Sequence, residues 1–118
     1  MAATQTDVGA NEWQINDEVV RLREWGTDRV HSLSAATGSW TIGSAETCEL
    51  VLDDRRVSRQ HARVSRQGTR WSVLDLGSKN GLRLDGARRS QIVLEPGLEI
   101  GLGGLTLIAE SPRLLALR

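Results

Sequence analysis

Phenylalanine and tyrosine are absent from this 118-residue chain, methionine and cysteine occur once each, and proline occurs twice. The single cysteine, Cys48, excludes an internal disulfide and fits a reducing cytoplasm, where we expect the protein to work. Cys48 itself reads as a small, half-buried residue at a strand edge. An excess of either charge is also lacking, because 15 basic residues face 15 acidic ones for a net charge of zero. That balance excludes the broad positive surface that holds nucleic acid or anionic membrane. No apolar run approaches the roughly 20 residues of a membrane-spanning helix. No signal-peptide pattern opens the chain. Neither a metal nor a cofactor is expected, and no helical period is sustained before residue 110.

What the chain has instead is alternation. Residues 1–11 are small and polar, and 1–14 read as a flexible leader; 15–110 read as one all-β domain with a modest core. VVRLREW places Val20, Leu22 and Trp25 near one side, RVHSL alternates again, and SWTIG puts Trp40 and Ile42 on one face. Segments such as HARVS, RWSVLDL, SQIVL and LTLIAE follow, parted by Gln-Gly, Asp-Gly and Pro-Gly turn signals. Short strands with frequent turns predict a β-sandwich of two mostly antiparallel twisted sheets, about 10–11 strands in all. The last residues break the habit. Ser111 suits an N-cap, Pro112 the first helical position, and Leu114, Leu115 and Leu117 follow, so 111–118 read as the start of a helix. That helix either links to a further domain or packs against the sandwich.

Five motifs carry the functional signal: WTIGS at Trp40–Ser44, VSRQHARV at Val57–Val64, DLGSKNG at Asp75–Gly81, LDG at Leu84–Gly86, and PGLEIGLG at Pro96–Gly103. In order and spacing they resemble the forkhead-associated (FHA) domain, a sandwich whose apical loops bind phosphothreonine peptides. The resemblance implies a non-catalytic signalling module. Ser58 then stands where the family sets a serine hydroxyl against the phosphate, with Arg59 beside it. Lys79 matches a phosphate-donor position, and Asn80 the asparagine that bonds the ligand's main chain. Arg83 is a candidate reader of peptide side chains, or simply an exposed strand arginine. His61 becomes a scaffold residue bracing the serine loop, and Gly43 and Gly81 serve the backbone. Asp85-Gly86 replaces the family's Asn-Gly turn.

Ser44 departs from the pattern, because the family usually has a phosphate-binding arginine there. Losing one charge-assisted contact at a desolvated site costs about 2–5 kcal/mol, so two readings stay open. Either Lys79 and Arg59 compensate and a phosphothreonine protein or peptide is bound, or the domain is degenerate and makes phosphate-independent protein or oligomer contacts. A third idea, a hydrolase built on Ser58 and His61, lacks an acid to orient the imidazole and is set aside. Lys79 is the only lysine, and this arginine-rich usage looks like that of a high-GC bacterial genome. The phrase ESPRLLALR resembles the lead-in to the ATPase module of sigma-fifty-four-dependent transcription activators, some of which carry an N-terminal FHA domain. The expected partners are therefore a phosphorylated protein in a Ser/Thr kinase pathway and a neighbouring ATPase domain, with no direct nucleic acid and no membrane.

Overall fold

The computed structural model describes residues 18–33 and 38–112. The leader, Trp13 and all but the first two residues of the helix start expected over 111–118 lie outside the described residues. Eleven short strands are described: β1 (Arg21–Glu24), β2 (Val30–Ser32), β3 (Ser39–Gly43), β4 (Leu50–Val51), β5 (Ala62–Gln67), β6 (Arg70–Asp75), β7 (Leu82–Leu84), β8 (Ala87–Arg89), β9 (Gln91–Leu94), β10 (Glu99–Leu102) and β11 (Leu105–Glu110). They form a six-stranded sheet in the order β2-β1-β11-β10-β7-β8 and a five-stranded sheet in the order β4-β3-β5-β6-β9. Pairing is antiparallel except between β3 and β4. No helix among the described residues is long and apolar enough to cross a membrane.

Alternation decides what is buried. In β3 and β5, Trp40 pairs with Val64 and Ile42 with Ala62, and all four face inward. Trp71 and Val73 of β6 continue that layer to Ile92 and Leu94 of β9. From the other sheet, Leu22, Leu82, Ile100, Leu102, Leu107 and Ala109 complete one core. Trp40 and Trp71 meet within it, ring centroids 5.1 Å apart, supplying the bulk that phenylalanine gives elsewhere.

Two expectations are corrected. Trp25 does not share a side with Leu22: it is 58% exposed, under the Arg23 guanidinium. Its odd position puts it on the opposite parity of a period-two strand, and the inward place goes to Glu24, which bonds His31 Nε2 at 2.9 Å. Cys48 is buried rather than half-buried and sits in the loop between β3 and β4, where its Sγ–H donates to the Arg59 carbonyl.

Candidate functional site

Three loops converge at one end of the sandwich, and their backbones touch before any side chain is considered. The Ser44 N–H donates to the Ser58 carbonyl at 3.0 Å and the Ala45 N–H to the Arg59 carbonyl at 3.2 Å. This joins the β3–β4 loop to the β4–β5 loop. The approach needs a residue without a side chain at Gly43, because a Cβ there would sit well inside 3.0 Å of the Arg59 carbonyl oxygen.

His61 ties the second loop to the third. It is fully buried; its Nδ1 accepts from the Ser58 N–H at 3.0 Å, and its Nε2 lies 2.8 Å from the Gly81 carbonyl. An N–H only donates and a carbonyl only accepts, so the ring carries its proton on Nε2 and none on Nδ1. Both nitrogens are thereby committed to backbone. Neither faces the Ser58 hydroxyl, so no nucleophile–base pair is built here. The Ser58 Oγ instead accepts from the Lys79 N–H at 3.0 Å, closing the circuit from β4–β5 to β6–β7.

The β6–β7 loop is shaped from within by residues that motif reading passed over. Asp75 accepts from the N–H groups of Gly77 and Ser78 and from the Ser78 hydroxyl, whose oxygen accepts in turn from the Gly81 N–H. The signal was the aspartate ahead of Gly77-Ser78, a side chain able to bond backbone two and three residues on. Gly81 turns at φ 72°, and a Cβ there would run into the Arg88 guanidinium, which itself donates to the Ser78 carbonyl.

Ser44, Ser58, Lys79 and Asn80 therefore lie together, with Arg59 exposed beside Ser58 on the β4–β5 loop. Asn80 Nδ2 donates to the Arg56 carbonyl at 2.8 Å, which leaves its Oδ1 facing no described donor. Arg83 is not the simply exposed strand arginine that one of its two readings expected. It is half-buried, and its fork donates to the Asn80 carbonyl at 3.0 Å and to the Gly103 carbonyl, pinning this loop to the β10–β11 turn.

The site is cationic at its surface. Among the described residues, the side chains of Lys79, Arg55 and Arg59 make no hydrogen bond or ion pair. Arg56 only leans on Asp54 at 3.3 Å. The Asp54 carboxyl is held below the usual carboxylate range, chiefly by the Arg56 N–H and then by the Arg56 side chain. Burial pushes the Cys48 thiol up, keeping it neutral beneath the loops.

Comparison with known proteins bears on this geometry. The family model for the Yop-YscD cytoplasmic domain, described as "Inner membrane component of T3SS, cytoplasmic domain", matches residues 25–112. The chain is 47% identical over 55 residues to the FHA domain-containing protein FhaB of Mycobacterium tuberculosis, a match covering 47% of this chain and 36% of FhaB. It thus spans about a third of that relative's length. A structure from a study of phosphothreonine-dependent FHA domain interactions superposes with a TM-score of 0.71 at 30% identity, covering 78% of this chain and 95% of that one. EmbR of Mycobacterium tuberculosis, a transcriptional regulatory protein solved in complex with a low affinity phosphopeptide, matches with a TM-score of 0.74 at 25% identity. That match covers 94% of this chain and 30% of EmbR. The chain belongs to the Yop-YscD cytoplasmic-domain family and to the forkhead-associated (FHA) domains.

Proposed function

We propose that this domain binds a phosphothreonine-bearing segment of a partner protein at the convergent loops, without catalysing a reaction. The observation that carries the reading is the meeting of the Ser58 hydroxyl and the Lys79 backbone N–H, with the side chains of Lys79 and Arg59 making no ion pair among the described residues. A phosphothreonine brings nearly two negative charges and three acceptor oxygens. Lys79 and Arg59 supply the charge, the Ser58 hydroxyl and the Ser44 side chain supply shorter-range donors, and Asn80 Oδ1 meets a peptide N–H. Each hydrogen bond to a charged group is worth about 1.5–3 kcal/mol, so two flexible cations replace the single arginine that Ser44 lacks.

The parent we propose is a bacterial transcription activator working in the cytoplasm. The domain, from residue 15 to 110, would be joined through 111–118 to an ATPase module. A Ser/Thr kinase writes the signal, and docking of the phosphorylated segment shifts how the sandwich sits on its neighbour. The match to a transcriptional regulatory protein supports regulation of transcription in general. Ser44 keeps a second reading alive, a degenerate FHA domain that makes phosphate-independent protein or oligomer contacts.

Titration with a degenerate phosphothreonine peptide library, against unphosphorylated controls, separates the two. The phosphate reading expects binding only to phosphorylated peptides and a loss of about tenfold or more in Lys79→Ala. Flat titrations of folded wild type, with binding created by Ser44→Arg, would establish the degenerate reading.

A further inference from the structure

An open groove of about 440 Å³ lies on the outer face of the six-stranded sheet, beside the phosphate loops. Its upper rim is Arg56 and Arg83, the residues that bond Asn80 through the Arg56 carbonyl and the Arg83 guanidinium. Its wall is Thr106, its floor Gly101, and its far end Asp85 and Glu99. The register explains the hollow: Gly101 stands between Arg83 of β7 and Thr106 of β11, and a Cβ there would press on the Arg83 stem. Asp85 and Glu99 are both exposed, and neither makes an ion pair among the described residues.

Resting on the phosphothreonine reading, we infer that this groove seats the chain flanking the phosphothreonine, and that Asp85 and Glu99 read a lysine or arginine in it. The charge order along the groove is the argument. Cations surround the end next to Ser58 and Lys79, where the phosphate sits, and two unpaired carboxylates close the other end. From the β10–β11 turn at Gly103 to Glu99 is four residues of strand, about 13 Å at 3.3 Å per residue. An extended ligand crosses that distance in about four residues, so the basic side chain falls about four to six residues from the phosphothreonine. A ligand whose charge reverses over this interval complements both ends at once, and one that stays acidic is repelled at the far end.

The test uses the whole chain and three fixed phosphothreonine peptide series, with Lys, Ala or Glu walked through positions on either side of the phosphothreonine. Wild type should prefer Lys to Ala at one position by about threefold to tenfold at low salt, with Glu weakest. The preference should shrink at high salt. Asp85→Asn with Glu99→Gln should erase it while leaving the Ala peptide's affinity unchanged. Asparagine suits position 85, whose φ is 52°, so folding is expected to survive. Equal affinity for Lys and Ala at every position overturns the inference, as does a preference that persists in the double variant. Self-association abolished by the same variant would assign the groove to a second copy and overturn it too. If no phosphopeptide of any series binds, the phosphothreonine reading fails first and this inference falls with it.

Discussion

At the loop end, three segments are held by backbone touching backbone, with one buried imidazole bonded to backbone on both sides and Gly43, where a Cβ would meet the Arg59 carbonyl. Along the flank formed by β1, β2 and β11, regular backbone ladders are reinforced by charged side chains. There Glu110 is fully buried and takes Arg21 Nε at 2.6 Å on one oxygen and Arg23 Nε at 2.9 Å on the other, while Glu24 holds His31. The contrast follows from what each region has to do. A phosphate site needs donors fixed in position, and backbone contacts fix them without flexible stems. A flank whose strands already pair through their backbones gains only added attraction from its ion pairs, which tolerate a range of geometries.

The sharpest way to break this comparison is one substitution made in both regions. Gly43→Ala drives a Cβ into the Arg59 carbonyl, a backbone atom that cannot rotate away. We expect a loss of about 3 kcal/mol, with phosphopeptide binding lost even in the folded fraction. Gly26→Ala, in the β1–β2 turn, meets nothing within 4 Å, and its φ of 80° is the only strain. About 1 kcal/mol is expected there, with binding intact. Urea denaturation of both variants, followed by peptide titration, checks the pair; equal losses would erase the distinction between the two regions.

Glu110→Gln addresses the flank's own mechanism at smaller cost. The amide keeps the volume but not the charge, so the side chains of Arg21 and Arg23, only 30% and 18% exposed, lose their counter-ion. A destabilisation of about 2 kcal/mol is expected in urea midpoints, with peptide affinity unchanged because no loop contact is touched. Weakened binding in proportion to lost stability would show that flank and loops are one energetic unit.

Much of the fold was legible because period-two burial is a local signal. Trp40, Ile42, Val64, Trp71 and Val73 declare their faces within their own strands. The convergence of Ser44, Ser58, Lys79 and Asn80 was implied by family resemblance, since nothing local tells a turn serine from one that meets a loop 21 residues on. Trp25 misled for a physical reason: an aromatic side chain reads as core, yet strand parity after Arg23 turns it outward. Arg83 and Glu110 were illegible because their partners are set by tertiary pairing. Arg83 reaches the Gly103 carbonyl only because β7 runs beside β10 in a register that puts Gly101 opposite it. Glu110 draws its two arginines from a strand 87 and 89 positions earlier in the chain.

The smallest expected effect concerns an acid bound into the β4–β5 loop. Asp54 caps the turn before Val57 by accepting the Arg56 N–H at 2.8 Å, and that bond, then the Arg56 guanidinium, depresses its pKa from the ordinary 3.8. A depressed carboxyl contributes stability that is fully present above its unfolded value and is lost as pH falls through the folded one. Asp54→Asn removes the charge but keeps an acceptor, so the variant should unfold at slightly lower urea than wild type from pH 5 to 7, a span chosen about one unit or more above the unfolded value. The gap should close as pH falls from 3.8 down through the depressed folded value, below which both side chains are neutral. Phosphopeptide affinity should also decline on acidification, but near pH 6, where the ligand's own phosphate takes up a proton, and to the same degree in both proteins. An affinity decline near pH 6 that Asp54→Asn removed would place the titration in the protein, making the β4–β5 loop a flexible element rather than the fixed one its backbone contacts describe.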